Sequence, residues 1–288
     1  MHKQEILRAN RVFHDEYDAA VYDLKWGNIF DIAQMKEILC TLKKHTGEDL
    51  DQIDNYLDIG CGTGYYLVNV GLYKGLSHAH GMDISRAMIR KCRENAARTA
   101  SPVTCAVSDA ACLPYAADQF DLITARAILH HVPDPMDALQ EIRRVLKPGG
   151  VCILQEPTKW GNPLCFALTN AVWWLPRKHM DILDGKQHLI TEEKAFLATL
   201  DAPPDAHTFT PEDIRKMVHM LGFASTKVFG FEFLGNLFNF LTFPFRQIKM
   251  IQPVIEQAKK VLDCIDEKVL IYIVPDCLYF NLIIVVRK

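Results

Sequence analysis

Three glycines at every second position, Gly60, Gly62 and Gly64, follow the short run "NYLDI" that carries Asp58. A glycine-rich turn between a strand and a helix lets backbone approach a ligand closely, with helix N–H groups aimed at it. Three chemistries compete for such a loop. A triphosphate loop requires GxxxxGK[ST], and no Lys-Ser or Lys-Thr follows Gly64. A dinucleotide fingerprint requires GxGxxG and an acid roughly twenty residues further on. Here the spacing is GxGxG, with Tyr65 where the third glycine belongs and Asp83 as the acid, so a nicotinamide dinucleotide stays open. The third chemistry uses more residues. Asp58 precedes the loop and suits an ammonium group. Asp83 ends the second expected strand, where its two oxygens suit a pair of ribose hydroxyls. Asp109 ends the third and suits the exocyclic amine of adenine. Three acids at three successive strand ends point to a cationic or neutral ligand rather than a phosphate ester.

The elements that must position these residues alternate. Strands are expected at "IDNYLDIG", "HAHGMDIS", "VTCAVSDA", "FDLITARA" and "VCILQEP", with helices at "GTGYYLVNVGLY", "SRAMIRKCRENAART" and "PDPMDALQEIRRVL", the last stopping at "KPGG". Strands separated by helices imply βαβ units and a parallel sheet, and near-continuous apolar strands imply cover on both faces. Two helical segments, 3–20 and 29–45, open the chain. Further on, "FTPEDIRKMVHMLGF" reads as a helix with Thr210 as cap and Pro211 at its first position. "ASTKVFGFE" and "YFNLIIVVRK" read as strands. The expected organisation is an N-terminal helical cap over 1–50, a core over 51–157 and a helical insertion over 158–210. A C-terminal part over 211–288 completes the sheet and itself contains a helical insertion, 232–276.

Five motifs in this order, "LDIGCGTG", "GMDIS", "SDAACLPY", "FDLITARAILHHVPDP" and "EIRRVLKPGG", resemble the class I S-adenosylmethionine-dependent methyltransferases of the small-molecule type. The likeness covers about residues 55–157. It implies an α/β fold with a Rossmann-like doubly wound seven-stranded sheet, mostly parallel with an antiparallel last strand, under a cover of helical insertions. It also implies S-adenosyl-L-methionine as cofactor. Gly60, Cys61, Gly62 and Gly64 would then run under its methionine part, near Asp58. Asp83 would hold the ribose with Ile84 against the adenine, and Asp109 and Ala110 would read the adenine edge. Arg126 stands at the methionyl end, where the family often has Asn or Ser. Tyr17 lies in an N-terminal helix of the kind that folds over the cofactor. His131 and Tyr22 are the candidates for a catalytic base, with packing as the alternative for each.

Composition narrows the partners. The formal net charge is −3, which argues against a general electrostatic grip on nucleic acid, and the position after the fourth strand reads "ARAILHH" rather than an amino-methylating motif. Nine cysteines without a CxxC pair read as reduced thiols in a cytoplasmic protein. The N-terminus lacks a signal peptide's apolar core, and no 18-residue apolar stretch is present. No metal is expected, because His130 and His131 would diverge on a helix. "NPLCFALTNAVWWLPRKH", with Trp173 and Trp174, and "GNLFNFLTFPFRQIKM" are rich in aromatic and aliphatic residues. They suit a small apolar acceptor (lipid-, quinone- or polyketide-like), peripheral membrane contact or a homodimer face. A cofactor-binding regulatory protein without turnover, an RNA or protein methyltransferase and a nicotinamide oxidoreductase remain the alternatives.

Overall fold

The computed structural model describes residues 3–26, 28–47, 53–73, 76–161, 163–164, 167–168, 192–200, 203–231, 233–242, 250 and 252–288. Trp173 and Trp174 lie outside them.

The strands are β1 (Asn55–Ile59), β2 (His78–Asp83), β3 (Val103–Val107), β4 (Phe120–Arg126), β5 (Leu146–Pro157), β6 (Ser225–Phe231) and β7 (Asn281–Arg287). They form one seven-stranded sheet in the order β3-β2-β1-β4-β5-β7-β6. β1 to β5 pair in parallel, and β7 runs antiparallel between β5 and β6. The chain leaves β1 toward β2 and returns to β4 on β1's other edge. That reversal opens a crevice beyond the carboxyl ends of β1 and β4, where open α/β sheets bind ligands.

The helices are α1 (Lys3–Phe13), α2 (Ala19–Trp26), α3 (Ile32–Thr46), α4 (Tyr65–Gly71), α5 (Arg86–Thr99), α6 (Pro135–Val145), α7 (Pro211–Met220), α8 (Leu234–Thr242) and α9 (Gln252–Lys268). Their starts follow local chemistry. Ser85 Oγ accepts from Met88 N at 3.0 Å, and Asp134 Oδ1 from Met136 N at 3.0 Å. Thr210 and Asp213 close a capping box at the head of α7, each side chain accepting the other's backbone N–H.

Period-two alternation sorts the strand residues onto two cores. Leu57, Ile59, Phe120 and Ile123 pack with Leu139, Ile142, Ile214 and Val218 of α6 and α7. Tyr56 and Leu122 face the other way, among Ile38, Leu42, Leu67 and Ile89 of α3, α4 and α5. Cover on both faces is why these strands read as unbroken apolar runs. Two boundaries differ from the sequence expectation. β5 begins at Leu146, taking "KPGG" into the strand across a register shift opposite Phe120 and Leu122. The helix expected over 3–20 is broken by a π turn, His14–Asp18, and resumes as α2.

That π turn anchors the N-terminal helices to the sheet, as such insertions often do near functional sites. Asp15 Oδ1 accepts from Ser85 Oγ at 2.6 Å and from Ala87 N at 2.9 Å, filling the N-terminus of α5 with a carboxylate. Asp15→Ala removes both bonds and is expected to cost ~1–2 kcal/mol. Hydrogen exchange should then speed up in residues 3–26 while β1 and β4 keep their protection. Unchanged exchange in residues 3–26 would show that something other than Asp15 holds these helices down.

Candidate functional site

The glycine loop leaves β1 with Gly60, Gly62 and Gly64 at φ +66°, +53° and +93°, a left-handed path that side chains other than glycine disfavour. Space is closed as well. A Cβ on Gly60 would collide with Ile128 Cγ2, and one on Gly64 would stand 2.7 Å from Val68 and 2.8 Å from Cys92. At Gly62 a Cβ would meet the Tyr22 ring at 3.7 Å, so α2 lies directly over the loop. Asp23 of the same helix accepts from Thr63 Oγ1 in the loop and from Asn95 Nδ2 on α5.

Asp83 at the end of β2 holds the loop from below. Its Oδ2 accepts from Gly62 N and its Oδ1 from Ser85 N, each at 2.9 Å. Burial lifts its pKa above the usual carboxylate range, although His14 and the two N–H donors pull the other way. Two of the carboxylate's roughly four acceptor positions are taken. Ile84 follows it half-buried.

Asp58 is 2% exposed and accepts from Thr124 Oγ1 at 2.6 Å, while Tyr56 Oη shares that hydroxyl at 2.6 Å. Burial pushes its pKa up to about 7 against the pull of Thr124, Arg126 and the Leu67 N–H. Cys61 is buried, and although Cys92 beside it works in the opposite sense, burial and the two aspartates push its thiol up to about 11. Arg126 lies over the rings of Tyr66 and Tyr65 at 4.6 and 5.4 Å and donates from Nε to Gln155 Oε1 at 3.2 Å.

Asp109 and Ala110 sit in the loop after β3, half-buried, with Asp109 Oδ1 accepting from Ala111 N at 2.9 Å. An ion pair on α6 clamps that loop. Glu141 Oε2 accepts from Leu113 N at 2.7 Å, and Arg144 donates to Leu113 O and Tyr115 O at 3.0 and 2.8 Å. Tyr17 stacks between Phe13 and Phe196, with ring centroids 5.9 and 5.5 Å away. Desolvation raises its hydroxyl pKa, and desolvation does the same to Tyr22 despite Arg126.

The histidine pair departs from expectation. Residues 129–131 form a turn, not a helix, so the rings of His130 and His131 come together at 4.0 Å between centroids. His130 is buried, its Nδ1 2.7 Å from Glu156 Oε2. Glu156 Oε1 accepts from Ile128 N and Leu129 N at 2.9 and 2.8 Å. Burial opposes charging His130, but the Glu156 carboxylate outweighs it and raises the pKa. His131 Nδ1 lies 3.2 Å from Asp205 Oδ1, and its ring meets His14 edge-on at 5.3 Å. Asp15, Asp23, Glu156 and Asp205 were not singled out from the sequence. For Asp205 no local pattern marks it, because its partners lie 74 and 75 residues away in the chain.

The arrangement brings Asp83, the glycine loop, Tyr22 and the histidine turn to one end of the sheet, with Asp58 beneath and Asp109 on the neighbouring strand end. This donor set fits a cationic nucleoside. Acids stand where a phosphate would need cations, and the glycine cradle has room for backbone contact and for little else.

Residues 57–154 match the family model described as "Methyltransferase domain". Over 179 residues the chain is 31% identical to the ubiquinone/menaquinone biosynthesis C-methyltransferase of Roseobacter denitrificans, covering 59% of this chain and 66% of that one. It is 29% identical over 147 residues to the 27-O-demethylrifamycin SV methyltransferase of Amycolatopsis mediterranei, covering 46% and 54%. The matches thus span less than two thirds of these curated relatives. Among solved structures, Haemonchus contortus phosphoethanolamine N-methyltransferase 2 with S-adenosyl-L-methionine superposes with a TM-score of 0.61. The identity there is 19%, over 97% of this chain and 60% of that one, so the likeness is one of fold.

Asp58 makes stability depend on pH in a defined sense. Burial pushes its folded pKa up to about 7, above the ordinary 3.8, so the folded state binds more protons between those values. Its contribution is present below about pH 4 and is lost as pH rises toward 7. Asp58→Asn, which keeps an acceptor for Thr124, should flatten the fall in melting temperature over that window. Parallel melting curves for wild type and variant from pH 4 to 7 would contradict this account of Asp58.

Proposed function

We propose, from the premise that residues 57–154 are a class I S-adenosylmethionine-dependent methyltransferase domain, that the chain methylates a small, apolar acceptor of quinone-like or polyketide-like character. The observation that carries this reading is the buried Asp83 carboxylate, fixed by Gly62 and Ser85 N–H groups under a left-handed glycine path.

When bound, S-adenosyl-L-methionine supplies a methyl carbon made electrophilic by its sulfonium. The chain's own residues do the rest. Asp83 offers its remaining acceptor positions to ribose hydroxyls, with Ile84 beside the adenine and the Asp109–Ala110 loop at its edge. Gly60, Cys61, Gly62 and Gly64 present backbone to the methionyl part, and the carboxyl of Asp58, with its pKa pushed up to about 7, lies below it. Tyr22 lies over the loop, the π turn lies against the head of α5, and both would exclude water. Alignment of this kind can contribute about 7–11 kcal/mol to a two-substrate reaction. For an acceptor that must lose a proton, His131, oriented by Asp205, is the base this geometry favours. Tyr22 serves better as a neutral hydroxyl donor, because burial holds its proton on.

The acceptor class rests on the quinone and rifamycin methyltransferases among the relatives, and on the aromatic-rich stretches at 162–179 and 235–250. Among the described residues no helix is long and apolar enough to cross a membrane, so contact with a lipid-borne acceptor would be made from the surface.

Calorimetric titration tests the cofactor half. S-adenosylmethionine and S-adenosylhomocysteine should bind with micromolar affinity, and Asp83→Ala should weaken both roughly 10–100-fold through loss of charge-assisted hydrogen bonds. NADH should not bind. Incubation with quinol and polyketide acceptors should then release S-adenosylhomocysteine. With a hydroxyl acceptor, His131→Ala should slow turnover by about 10²–10⁴. NADH binding in place of the sulfonium cofactor would overturn the assignment, and tight cofactor binding without turnover on any acceptor would favour a regulatory protein.

A further inference from the structure

His130 and His131, from the turn after β4, and Asp205, from the loop that precedes α7, each present one ligand atom, all within 4.8 Å of one another. His131 Nδ1 stands 3.2 Å from Asp205 Oδ1, and His130 Nε2 stands 3.9 Å from the same oxygen. Two ligands at ordinary zinc bond lengths on a tetrahedral centre stand roughly 3.3 Å apart. Small rotations, with release of the proton that His131 Nδ1 now directs at Asp205 Oδ1 and Pro204 O, both 3.2 Å away, would let the three groups share one ion.

Two further features prepare the trio. A carboxylate only accepts, so His130 Nδ1 is the donor to Glu156 Oε2 at 2.7 Å. That leaves Nε2 on the other side of the ring, 3.9 Å from Asp205 Oδ1. A carboxylate behind a ligating histidine is the usual outer partner of such sites. Glu156 is itself immobilised, fully buried and bonded to Ile128 N and Leu129 N. The Asp205 loop is anchored too. Ala206 N and His207 N donate to His130 O at 2.8 and 3.2 Å, and Asn10 Nδ2 ties His131 O to Pro204 O at 2.7 and 3.1 Å. Asp205's own side chain is 68% exposed, which leaves one side of the trio open to solvent.

We propose that His130, His131 and Asp205 form a binding site for one divalent transition-metal ion of the zinc class, with Glu156 as its outer-shell partner. Two imidazoles and one carboxylate suit Zn²⁺, Co²⁺ or Ni²⁺ rather than Ca²⁺ or Mg²⁺. Three protein ligands leave a coordination position free for water or an oxygen of a bound molecule, as in catalytic rather than structural zinc sites. The ion would also tie the β4 turn to the loop before α7. An ion here would lie close to the glycine loop, since Ile128, which precedes the turn, packs against Gly60.

The test is titration of the purified full chain with Co²⁺, read by its visible ligand-field absorption, with Zn²⁺ added as competitor. A site of this kind gives saturation at one ion per chain, with intense bands of four- or five-coordinate Co²⁺ that Zn²⁺ removes. Asp205→Asn, a change at an exposed side chain, and His131→Ala should each weaken binding at least tenfold, with circular dichroism confirming that both fold. Glu156→Gln, if folded, should weaken it 10–100-fold. Absence of the bands, or bands that survive both Asp205→Asn and His131→Ala, overturns the site and leaves a proton in that gap. S-adenosylmethionine binding is measured separately and does not pass through the ion, so the two readings fail independently.

Discussion

One buried carboxylate holds the two halves of the crevice together. Asp83 bonds Gly62 N in the glycine loop and Ser85 N at the head of α5. A buried charge is costly unless donors surround it. With these two N–H groups in place Asp83 still sits above the usual carboxylate range. Two of its acceptor positions remain untaken by these N–H groups. The same contact fixes the course of the loop. Gly62 must turn its N–H inward at φ +53°, and the loop's close approaches to Ile128, Val68 and Tyr22 follow from that path. Ser85 transmits the constraint outward, since its hydroxyl both caps α5 and donates to Asp15 of the cap helices.

Glu156 is a contrasting buried carboxylate. It accepts from three donors, Ile128 N, Leu129 N and His130 Nδ1, which suits a fixed strut. It sets the turn after β4 so that His130 and His131 lie side by side, with Asp205 above them. The cofactor side of the crevice thus carries a carboxylate with acceptor positions to spare. The histidine turn carries a carboxylate with three donors that orients an imidazole. Although partial desolvation opposes it, His131, with His130 and His14, draws the Asp205 carboxyl down to about 2, so Asp205 stays ionised at neutral pH.

The sheet was legible in the sequence because helices cover both of its faces, leaving β1, β4 and β5 as apolar runs between glycine and proline punctuation. The glycine loop and Asp83 were legible because spacing along the chain alone carries them. What escaped depends on segments far apart in sequence. Asp15 meets Ser85 and Ala87 from 70 and 72 residues away, and Asp205 meets His131 from 74. The π turn escaped because the contacts that hold it, Asp15 with Ser85 and Ala87, leave no spacing signal within residues 3–20. The histidine pair was misplaced because the residues after β4 have helix-like composition, yet Glu156 captures the Ile128 and Leu129 N–H groups and turns the chain instead. β5 started early because Leu146 pairs with Phe120 before the bulge, an edge effect invisible without its partner strand.

The same pairing of burial with bonding narrows the chemistry at the crevice. Cys61 lies directly in the loop, but its thiol is pushed up to about 11, which leaves little thiolate at neutral pH and makes it a packing residue. Tyr22 reaches the loop, but desolvation holds its phenol protonated. Asp58 is engaged by Thr124 beneath the sheet end. His131 stands apart from these three in being paired with an ionised carboxylate, on a turn that follows Ile128, the residue packed against Gly60. An acceptor that is already nucleophilic, such as an electron-rich aromatic carbon or an amine free base, needs only to be aligned with the cofactor. For one that must shed a proton, the proposed base is His131 on the histidine turn. On that proposal, the choice between carbon and oxygen acceptors becomes a question about that turn, not about the glycine loop.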